Sequence, residues 1–518
     1  LTTNVPENSQ EDRDIMKTLY GGDQAMRIKQ EIVLGVGGVR MLRAMGYDDV
    51  RNFHLNEGHC SFLTLELLRE RGYKDELVRP SCAFTTHTPV KAGHDIFSYD
   101  LAHKICGDML PWHIKKLAGD DALSMTSLAM NLSHDTFGVS RIHGQVSREL
   151  LGNPQVKYIT NGVHHVHWAS EEMRNLFDRF IPNWRQNPAL LQAHRSDIPT
   201  EEVWQAHQAA KNRLIDLVNE QPNVQFDKNT LTIVSARRIV PYKRPELLYT
   251  NMERLKQVAQ GKLQIIHAGN AHPHDSFSQD VIRHIIERSH ELKGIVNIAY
   301  LPNYNPDLAR SLVSGADVWL NTPTRLLEAS GTSGMKACLN GSMNLSTLDG
   351  WWVEGYEKDP ESGWRIGPLA QTLNAEDTRV IDAEDVHLHR VVDDEVHRDE
   401  RVDAGRVAAR ARNGRAHRGE VHDRGDPGVV LHEDAPGHER DRRVAGRLGP
   451  AREGADVLVL DVARARAAQE VLEEDLQREG ELRDVVLLRE FLQRVEVVGL
   501  AAHREGGCRL ERVGFAHR

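Results

Sequence analysis

The sequence contains few cysteines, and their placement excludes two classes of small stabilised domain. Five cysteines occur among 518 residues, far apart and with no C-x-x-C pair. This spacing provides neither a disulfide framework nor a zinc site, so no metal is expected. A reducing compartment, the cytoplasm, is the expected location. The five are Cys60, Cys82, Cys106, Cys338 and Cys508.

Long apolar runs and basic blocks are also missing. No apolar stretch approaches the roughly 18 to 20 residues needed to cross a bilayer, and the first residues lack the pattern of a secretion signal. The 65 basic and 75 acidic residues give a net charge of −10, without a basic block in the first two thirds of the chain. These absences argue against a membrane protein and against a nucleic-acid binder. The chain begins at Leu1 without Met, so we expect its N-terminal part to be incomplete.

The C-terminal part lacks seven residue types. From His387 to Arg518 there is no Lys, Ile, Ser, Thr, Tyr, Trp or Met, and 24 of the 65 basic residues lie there, all of them arginine. Ordinary proteins do not lose seven residue types together. A genuine Arg/Ala/Val/Glu-rich tail and a coding sequence read in the wrong frame both explain this, and we favour the second. Residues 387–518 are therefore predicted to be an aberrant tail, disordered or out of frame.

Residues 1–386 alternate between helical and strand patterns. Apolar periodicity predicts helices over Asp23–Met45, Phe62–Leu68 and Glu201–Val218. Strands separated by helices predict a parallel, doubly wound α/β sheet, in which ligands bind outside the carboxyl ends of the strands. Four apolar runs are predicted as buried strands, each followed by polar residues: Leu231–Ser235, Leu263–His267, Ile295–Ala299 and Ala316–Leu320.

A loop rich in Gly, Ser and Thr is the most informative motif. The run EASGTSGMKA covers residues 328–337. Its small residues allow close approach to a ligand, and the amides of a following helix attract phosphate. The run matches neither the Walker pattern nor G-x-G-x-x-G, which argues against nucleotide triphosphates and dinucleotides. Lys336 lies one turn into this motif, where its amine could form a Schiff base; the alternative is a solvated helix lysine.

A cluster of cations follows the first predicted strand. Arg237, Arg238, Lys243 and Arg244 lie within eight residues. Arginine binds phosphate or carboxylate with a planar fork, and lysine adds a compact charge. The cluster predicts a polyanion site, with a solvated basic patch as the alternative.

Several polar loops carry weaker signals. His87 lies in a turn with Pro89 and Gly93, and NEGH at 56–59 and TNGV at 160–163 are similar polar loops. The histidines at 164, 165 and 167 lack a second set of ligands close in sequence, so they are not expected to bind metal.

Taken together and in this order, the motifs resemble those of the α-glucan phosphorylases, the family of glycogen, starch and maltodextrin phosphorylases, and most closely its shorter bacterial branch. The resemblance spans about residues 1–386. The most specific matches are NEGH at 56–59, THTPVKAGHD at 86–95, TNGV at 160–163, ARRIVPYKR at 236–244, EASGTSGMKACLNG at 328–341 and LDGWW at 348–352.

The resemblance implies a GT-B fold, two Rossmann-like domains facing a cleft and incomplete at both ends. It places the C-terminal part of the first, glucan-side domain at residues 1–160 and the second domain, with the cofactor site, at 161–386. It also implies transfer of the terminal glucose of an α-1,4-glucan to inorganic phosphate, giving α-glucose 1-phosphate with retained configuration. The implied cofactor is pyridoxal 5′-phosphate, whose 5′-phosphate relays a proton in this family. Homo-oligomerisation stays open.

The resemblance also assigns residues to the cofactor and to phosphate. Lys336 looks like the Schiff-base lysine, and Arg238 and Lys243 resemble the pair that holds inorganic phosphate. Two phosphates in contact repel each other, and several cations are needed to offset this repulsion. The implied cofactor ligands are Gly331, Thr332, Ser333, Arg237 and Tyr304 together with loop amides.

Other matching residues are implied to bind sugar. His87, which is also counted among the catalytic residues, Asn161 and Glu328 resemble groups that bind the hydroxyls of the departing glucose, together with the backbone at Ser330 and Gly331. Glu57 and His59 align with a loop on the acceptor side of the cleft.

Departures from the family pattern leave alternatives open. The family's chain starts upstream of Leu1 with a glycine-rich loop, and Asn270 stands where the family usually has Lys. A nucleotide-sugar glucosyltransferase of the same fold is one alternative, although Lys336 argues against it. An inactive glucan-binding remnant is another.

Overall fold

The computed structural model describes residues 1–18, 22–271 and 275–368, together with Asp382 and Val386. The predicted tail, residues 387–518, lies outside the described residues. The described chain forms two units. The first contains Leu1–Thr85 and Asp95–Asp135, and the second contains Thr86–His94 and the described residues from Thr136 to Val386. The predicted division at residues 160/161 and the cleft between two domains stay predictions.

The first unit packs helices around a short parallel strand pair. Strand β1 (Phe53–Asn56) pairs in parallel with β2 (Cys82–Thr85), and β3 (Ile96–Phe97) pairs antiparallel with β4 (Leu123–Ser124). Its helices are α1 (Gln10–Arg13), α2 (Gln24–Ala44), α3 (Phe62–Glu70), α4 (Asp75–Val78), α5 (Tyr99–Cys106), α6 (Ile114–Ala118) and α7 (Met125–Asn131).

Helix α2 confirms the helix predicted at Asp23–Met45 and explains its ends. The Asp23 side chain caps the helix by accepting a hydrogen bond from the Met26 amide at 2.9 Å. A Cβ at Gly35 would collide with the backbone of Phe62 and Leu63 in α3. Glycine therefore lets the two helices approach closely, and their apolar faces form one buried core.

The second unit is built on a six-stranded parallel sheet. Its strands in chain order are β7 (Leu231–Ala236), β8 (Leu263–Ala268), β9 (Asn297–Leu301), β10 (Val318–Asn321), β11 (Met343–Thr347) and β12 (Gly363–Ile366). Their order across the sheet is β9-β8-β7-β10-β11-β12, with all neighbours parallel. This is the 3-2-1-4-5-6 order of a doubly wound sheet, in which the progression of strand order reverses between β7 and β10 while all strands stay parallel.

Helices and a further strand pair complete the second unit. Strand β5 (Asp135–Gly138) pairs in parallel with β6 (Lys157–Tyr158). The helices are α8 (Arg141–Leu150), α9 (His165–Trp168), α10 (Glu171–Phe180), α11 (Ala189–Ala193), α12 (Thr200–Asn219), α13 (Met252–Ala259), α14 (Ser276–Glu291), α15 (Pro306–Gly315), α16 (Ser333–Cys338) and α17 (Trp351–Lys358).

The structure confirms the predicted mixed α/β class with parallel strands, with two shifts. The first two predicted strands are β7 and β8, but β9 and β10 each begin two residues later than predicted. Ile295 and Val296 instead donate backbone hydrogen bonds to Leu292 in the turn that closes α14. Asp317 precedes β10 because its carboxylate accepts a hydrogen bond from the Thr232 amide. None of the helices in the described part of the chain is long and apolar enough to span a membrane.

Candidate active site

The candidate site lies at the carboxyl ends of the two strands between which the strand order of the second unit's sheet reverses. Strands β7 and β10 are neighbours in the middle of the sheet, and their carboxyl ends lead into the conspicuous motifs. We call Arg237–Arg244, which follows β7, the cation loop, and Glu328–Thr332, which precedes α16, the glycine loop. Ligands of doubly wound sheets bind at this point because diverging loops leave a crevice there.

Arg237 begins the cation loop as a buried cation. Its guanidinium donates hydrogen bonds to the Ser235 hydroxyl and the Leu320 carbonyl, while Nε is buried without a partner among the described residues. Burial lowers the pKa of Arg237 to about 10. A buried donor without an acceptor is costly, so an anion at Nε would lower the energy of this arrangement.

Lys243 and Arg238 differ in their surroundings. Lys243 Nζ lies 2.7 Å from Glu328 Oε2, and both side chains are less than a fifth exposed. Burial lowers the pKa of Lys243, while Glu328 opposes this shift. Arg238 is exposed and makes no hydrogen bond or ion pair within the described ranges. The site thus pairs one cation internally and leaves another available to a ligand.

Arg244 fixes the end of the cation loop, a role that the sequence analysis missed. It has a φ of +44°, an unusual conformation for a residue other than glycine. Its guanidinium donates to the carbonyls of Thr322 and Pro323, both at 2.9 Å, and to Asp382 Oδ2 at 2.7 Å. These bonds tie the loop after β7 to the loop after β10.

The glycine loop is held mainly through its backbone. The Ser140 hydroxyl donates to the Ala329 carbonyl at 2.6 Å, and the Trp351 amide donates to the Ser330 carbonyl at 2.9 Å. Gly331 has a φ of +69°. A Cβ at Gly350, whose φ is +53°, would overlap the Ser330 carbonyl oxygen. The loop therefore depends on glycines inside and beside it.

Asp349 lies beneath this loop and was also missed. Its carboxylate accepts hydrogen bonds from the amides of Glu328 at 2.8 Å and Gly350 at 2.9 Å. Burial raises the pKa of Asp349 to about 7, although these amide donors oppose the shift. The available signal was the Asp-Gly pair in LDGWW, but a turn residue and a loop anchor look alike in sequence.

Helix α16 places Lys336 against an aromatic ring. Lys336 Nζ lies 3.7 Å from the centroid of the Trp168 ring, and no acidic side chain pairs with it in the described part of the chain. Burial lowers the pKa of Lys336 to about 8. A larger fraction of this amine is therefore neutral near pH 7 than for an ordinary lysine, as nucleophilic attack on a carbonyl requires.

The start of α16 presents free backbone donors. Thr332 precedes the helix without a side-chain cap, and the Ser333 hydroxyl accepts from Trp319 Nε1 at 3.0 Å. The amides of Ser333, Gly334 and Met335 have no acceptor among the described residues. Such amides suit a phosphate group.

Tyr304 and Asn270 lie at the neighbouring strand end. Burial raises the pKa of Tyr304, and the charge of Arg237 opposes this, so the predicted cofactor ligands Arg237 and Tyr304 are near each other. Asn270 exchanges two hydrogen bonds with the Tyr304 backbone, at 2.7 and 3.1 Å. The Asn270 side-chain amide thus shapes this loop.

His87 and Asn161 belong to the same unit, in the loops that follow β2 and β6, and each lies near the turn after β5. The Val139 amide donates to His143 Nδ1 at 3.1 Å, and the Val139 carbonyl accepts from the Asn161 amide at 3.0 Å. Burial lowers the pKa of His143 to about 4, and the nearby His87 contributes to this shift. Position in the fold therefore groups His87 and Asn161 around a buried neutral histidine that the sequence analysis missed.

Glu57 and His59 lie in the first unit, in the turn after β1. Glu57 has a φ of +80°, and its carboxylate accepts a hydrogen bond from the Gly58 amide at 2.8 Å. Both residues are half-buried. Strained backbone of this kind is concentrated at functional sites, and the acceptor-side role of this turn stays a prediction.

The three neighbouring histidines contact protein groups. His164 Nδ1 accepts from the His167 amide at 3.1 Å, and His165 Nε2 lies 3.0 Å from the Arg185 carbonyl. The described ranges contain no group of three or more His, Cys, Asp or Glu side chains that could hold a metal ion.

The fold and site together define a class of protein. A doubly wound sheet presents a partly neutral lysine amine, free helix amides and several cations beyond the carboxyl ends of its central strands. This combination suits an enzyme that handles phosphate and carries a phosphorylated carbonyl cofactor. The sequence profile of the carbohydrate phosphorylase family matches residues 94–390. The chain belongs to that family, whose members transfer glycosyl groups, and the resemblance seen in the motifs is confirmed.

Curated relatives support the same assignment. The chain is 39% identical to the maltodextrin phosphorylase of Thermococcus litoralis over 437 residues, covering 76% of this chain and 52% of that protein. It is 34% identical to the glycogen phosphorylases of Aquifex aeolicus and Mycobacterium tuberculosis, covering 71% and 73% of this chain and 59% and 50% of those proteins. The chain thus spans about half the length of these relatives. The family match ends at residue 390, close to the change in composition at His387.

Proposed function

We propose that this chain is part of an α-1,4-glucan phosphorylase, which transfers the terminal glucose of glycogen or maltodextrin to inorganic phosphate. The product is α-glucose 1-phosphate, with configuration retained. The observation that carries the proposal is the Lys336 amine, half-buried against Trp168 at the edge of the sheet where Arg237, Arg238 and Lys243 also follow β7. The names of the relatives support the reaction, because they are maltodextrin and glycogen phosphorylases.

The residues present fit pyridoxal 5′-phosphate. Lys336 supplies an amine without an acidic partner in the described chain, and the unbonded amides at the start of α16 suit the phosphate. Arg237 adds a buried cation whose Nε lacks an acceptor there, with Tyr304 close by. When bound, the cofactor contributes a phosphate group that relays a proton to and from the substrate phosphate.

Arg238 and Lys243 hold inorganic phosphate in this proposal. Arg238 is exposed and free to turn toward an anion, whereas Lys243 is paired with Glu328. Phosphate therefore competes with, or joins, the Glu328 carboxylate at Lys243 Nζ. Arg237 and Arg238 both disfavour the charge on Lys243, so an added anion relieves repulsion among the three cations.

Glucose binds against the glycine loop in this proposal. Glu328 and the backbone at Ser330 and Gly331 bind its hydroxyls, with His87 from the loop after β2 and Asn161 from the loop after β6. The bonds from Asp349, Ser140 and Trp351 fix this loop before the sugar arrives. A preorganised loop stabilises a positively charged glucosyl transition state without moving, which is why such fixing favours catalysis.

The first test addresses Lys336 directly. The chain is incubated with pyridoxal phosphate, reduced with borohydride and mapped by mass spectrometry. Label on Lys336, lost in Lys336→Arg and retained in the control Lys293→Arg, supports the proposal. Label on another lysine, with Lys336 unmodified, contradicts it.

The second test separates the competing functions. A version extended to the length of the relatives is assayed for glucose 1-phosphate formed from maltodextrin and phosphate, beside the 518-residue chain. Transfer from a nucleotide sugar without cofactor attachment would favour the glucosyltransferase alternative. Glucan binding without turnover in both versions would favour the inactive remnant. We expect turnover in the extended version and little in the 518-residue chain, since catalysis with two phosphates requires close positioning.

A further inference from the structure

A buried chain of polar side chains lies behind α16, outside the groups already assigned roles. His207 and Lys211 belong to α12, Asp317 precedes β10 and Asn340 follows α16. Asn340 is fully buried, and the other three side chains are at most a tenth exposed. Buried polar groups of this kind are retained when they hold neighbouring structure in one arrangement.

Asn340 connects the two segments that carry Lys336 and Trp168. Its Nδ2 donates to the Lys336 carbonyl at 2.8 Å and to the Trp168 carbonyl at 2.9 Å. Its Oδ1 accepts from the Ser170 amide at 2.7 Å. One side chain therefore holds both partners of the contact between the amine and the aromatic ring.

His207 and Asp317 hold Asn340 in turn. His207 Nδ1 lies 3.1 Å from the Asn340 carbonyl oxygen, and Nε2 lies 3.0 Å from Asp317 Oδ1. Both partners are oxygens, so each ring nitrogen of His207 faces a hydrogen-bond acceptor. Burial would raise the pKa of Asp317, but the His207 hydrogen bond and the Lys211 ammonium, at 2.6 Å, hold it below its usual value.

We propose that Asn340 is a positioning residue for Lys336 and that His207 acts through it by holding the Asn340 carbonyl. The inference rests on the proposed function only in treating Lys336 as the reactive amine. We call the hydrogen bonds of Asn340 and His207 the link. If the link loosens, α16 and the Trp168 segment separate and water reaches Lys336 Nζ. The ammonium form then becomes easier to form. The nearby basic groups are His167 and its partner Arg310, and neither belongs to the link.

Two substitutions of His207 form a matched test. Asn places its amide near the position of Nδ1 and can still donate to the Asn340 carbonyl, whereas Gln reaches the position of Nε2 and keeps only the Asp317 contact. Both remove the same ring. A merely structural role predicts equal effects from His207→Asn and His207→Gln, whereas positioning through Asn340 predicts unequal ones.

The readout is the pH midpoint for acylation of Lys336 in the full chain, mapped by mass spectrometry with exposed Lys74 as internal reference. His207→Gln should raise the midpoint by about one pH unit, a tenfold loss of neutral amine below it. His207→Asn should leave it near the wild-type value, and Asn340→Ala should shift it at least as far as His207→Gln. Equal midpoints in the two His207 variants would overturn the proposal.

Hydrogen exchange in the wild type decides the matter if the variants do not fold. The Ser170 amide, bonded to Asn340 Oδ1, should exchange as slowly as the core of α12. Exchange at the rate of an exposed amide would refute the link. Neither measurement adds pyridoxal phosphate or glucan, so failure here leaves the proposed function standing. Label absent from Lys336 after borohydride reduction would instead contradict the proposed function alone.

Discussion

The cation loop and the glycine loop meet at Lys243 and Glu328, yet they are held in place in different ways. The cation loop is fixed by charged side chains, with Arg244 bonded to carbonyls after β10 and to Asp382. The glycine loop is fixed by bonds to its backbone from Asp349, Ser140 and Trp351. A loop that must bind an anion can be ordered by its own cations, whereas a loop that must bring its backbone to a ligand needs support from elsewhere in the fold.

The largest expected effect tests the support of the glycine loop. Gly350→Ala places a Cβ on the Ser330 carbonyl and forces a side chain into a positive φ. We expect a loss of about 3 to 5 kcal/mol in the free energy of unfolding, measured by denaturant titration. Gly162→Ala, in open space within the same unit, should change it by less than about 1 kcal/mol. Equal effects would mean that the loop tolerates displacement.

The next effect tests whether the cation loop binds anions without stabilising the fold. Arg238→Ala should lower phosphate affinity by about 1.5 to 3 kcal/mol, roughly 10- to 150-fold, because one charge-assisted contact is lost. Stability should hardly change, since Arg238 makes no hydrogen bond or ion pair within the described ranges. Lys243→Ala should reduce phosphate binding as well. Calorimetric phosphate titration of the cofactor-loaded protein checks this, with the exposed Arg283→Ala as control, and unchanged affinity in both variants would exclude the role.

A pH test addresses Lys336, which follows the glycine loop. Burial lowers its pKa from 10.5 to about 8. Between these pH values the unfolded chain binds more protons at Lys336 than the folded chain does. The free energy of unfolding therefore rises with pH across this window, and this gain is lost as the pH falls back to 8. Lys336→Met should abolish that rise, and its free energy of unfolding at pH 7 should exceed that of the wild type by about 1 to 3 kcal/mol. Unfolding at pH 7 and pH 10 measures this, and the exposed Lys293→Met should retain the wild-type slope.

The smallest effect concerns the contact between the two loops. A double-mutant cycle with Lys243→Met and Glu328→Gln should give a coupling of about 1 to 2 kcal/mol, because both groups are largely buried. The exposed pair Arg283 and Asp280 in α14 should give about 0 to 0.5 kcal/mol. A coupling no larger than this control would mean that the two loops are energetically independent.

Local patterns predicted much of this site, and distant contacts explain what they missed. The charges of the cation loop and the small residues of the glycine loop are visible in short runs of sequence. Ser140 and Asp349 were missed because a serine or an aspartate has no distinguishing local pattern. The Ser140 hydroxyl bonds a carbonyl 189 residues away. The starts of β9 and β10 were misplaced for a related reason. The residues before β9 are hydrogen-bonded in the turn after α14, and the Asp317 carboxylate before β10 accepts a hydrogen bond from the Thr232 amide.

The sequence by itself determined the parallel α/β class, the family and the chemical character of the two loops, because apolar periodicity and side-chain chemistry act over a few residues. Only the tertiary structure decided that Lys336 lies against Trp168, that Lys243 pairs with Glu328 and that Arg237 is buried. Those properties depend on which distant groups exclude water from each charge. Desolvation is a property of the assembled fold. It lowers the pKa of Lys336 and so increases the fraction of the neutral, nucleophilic amine.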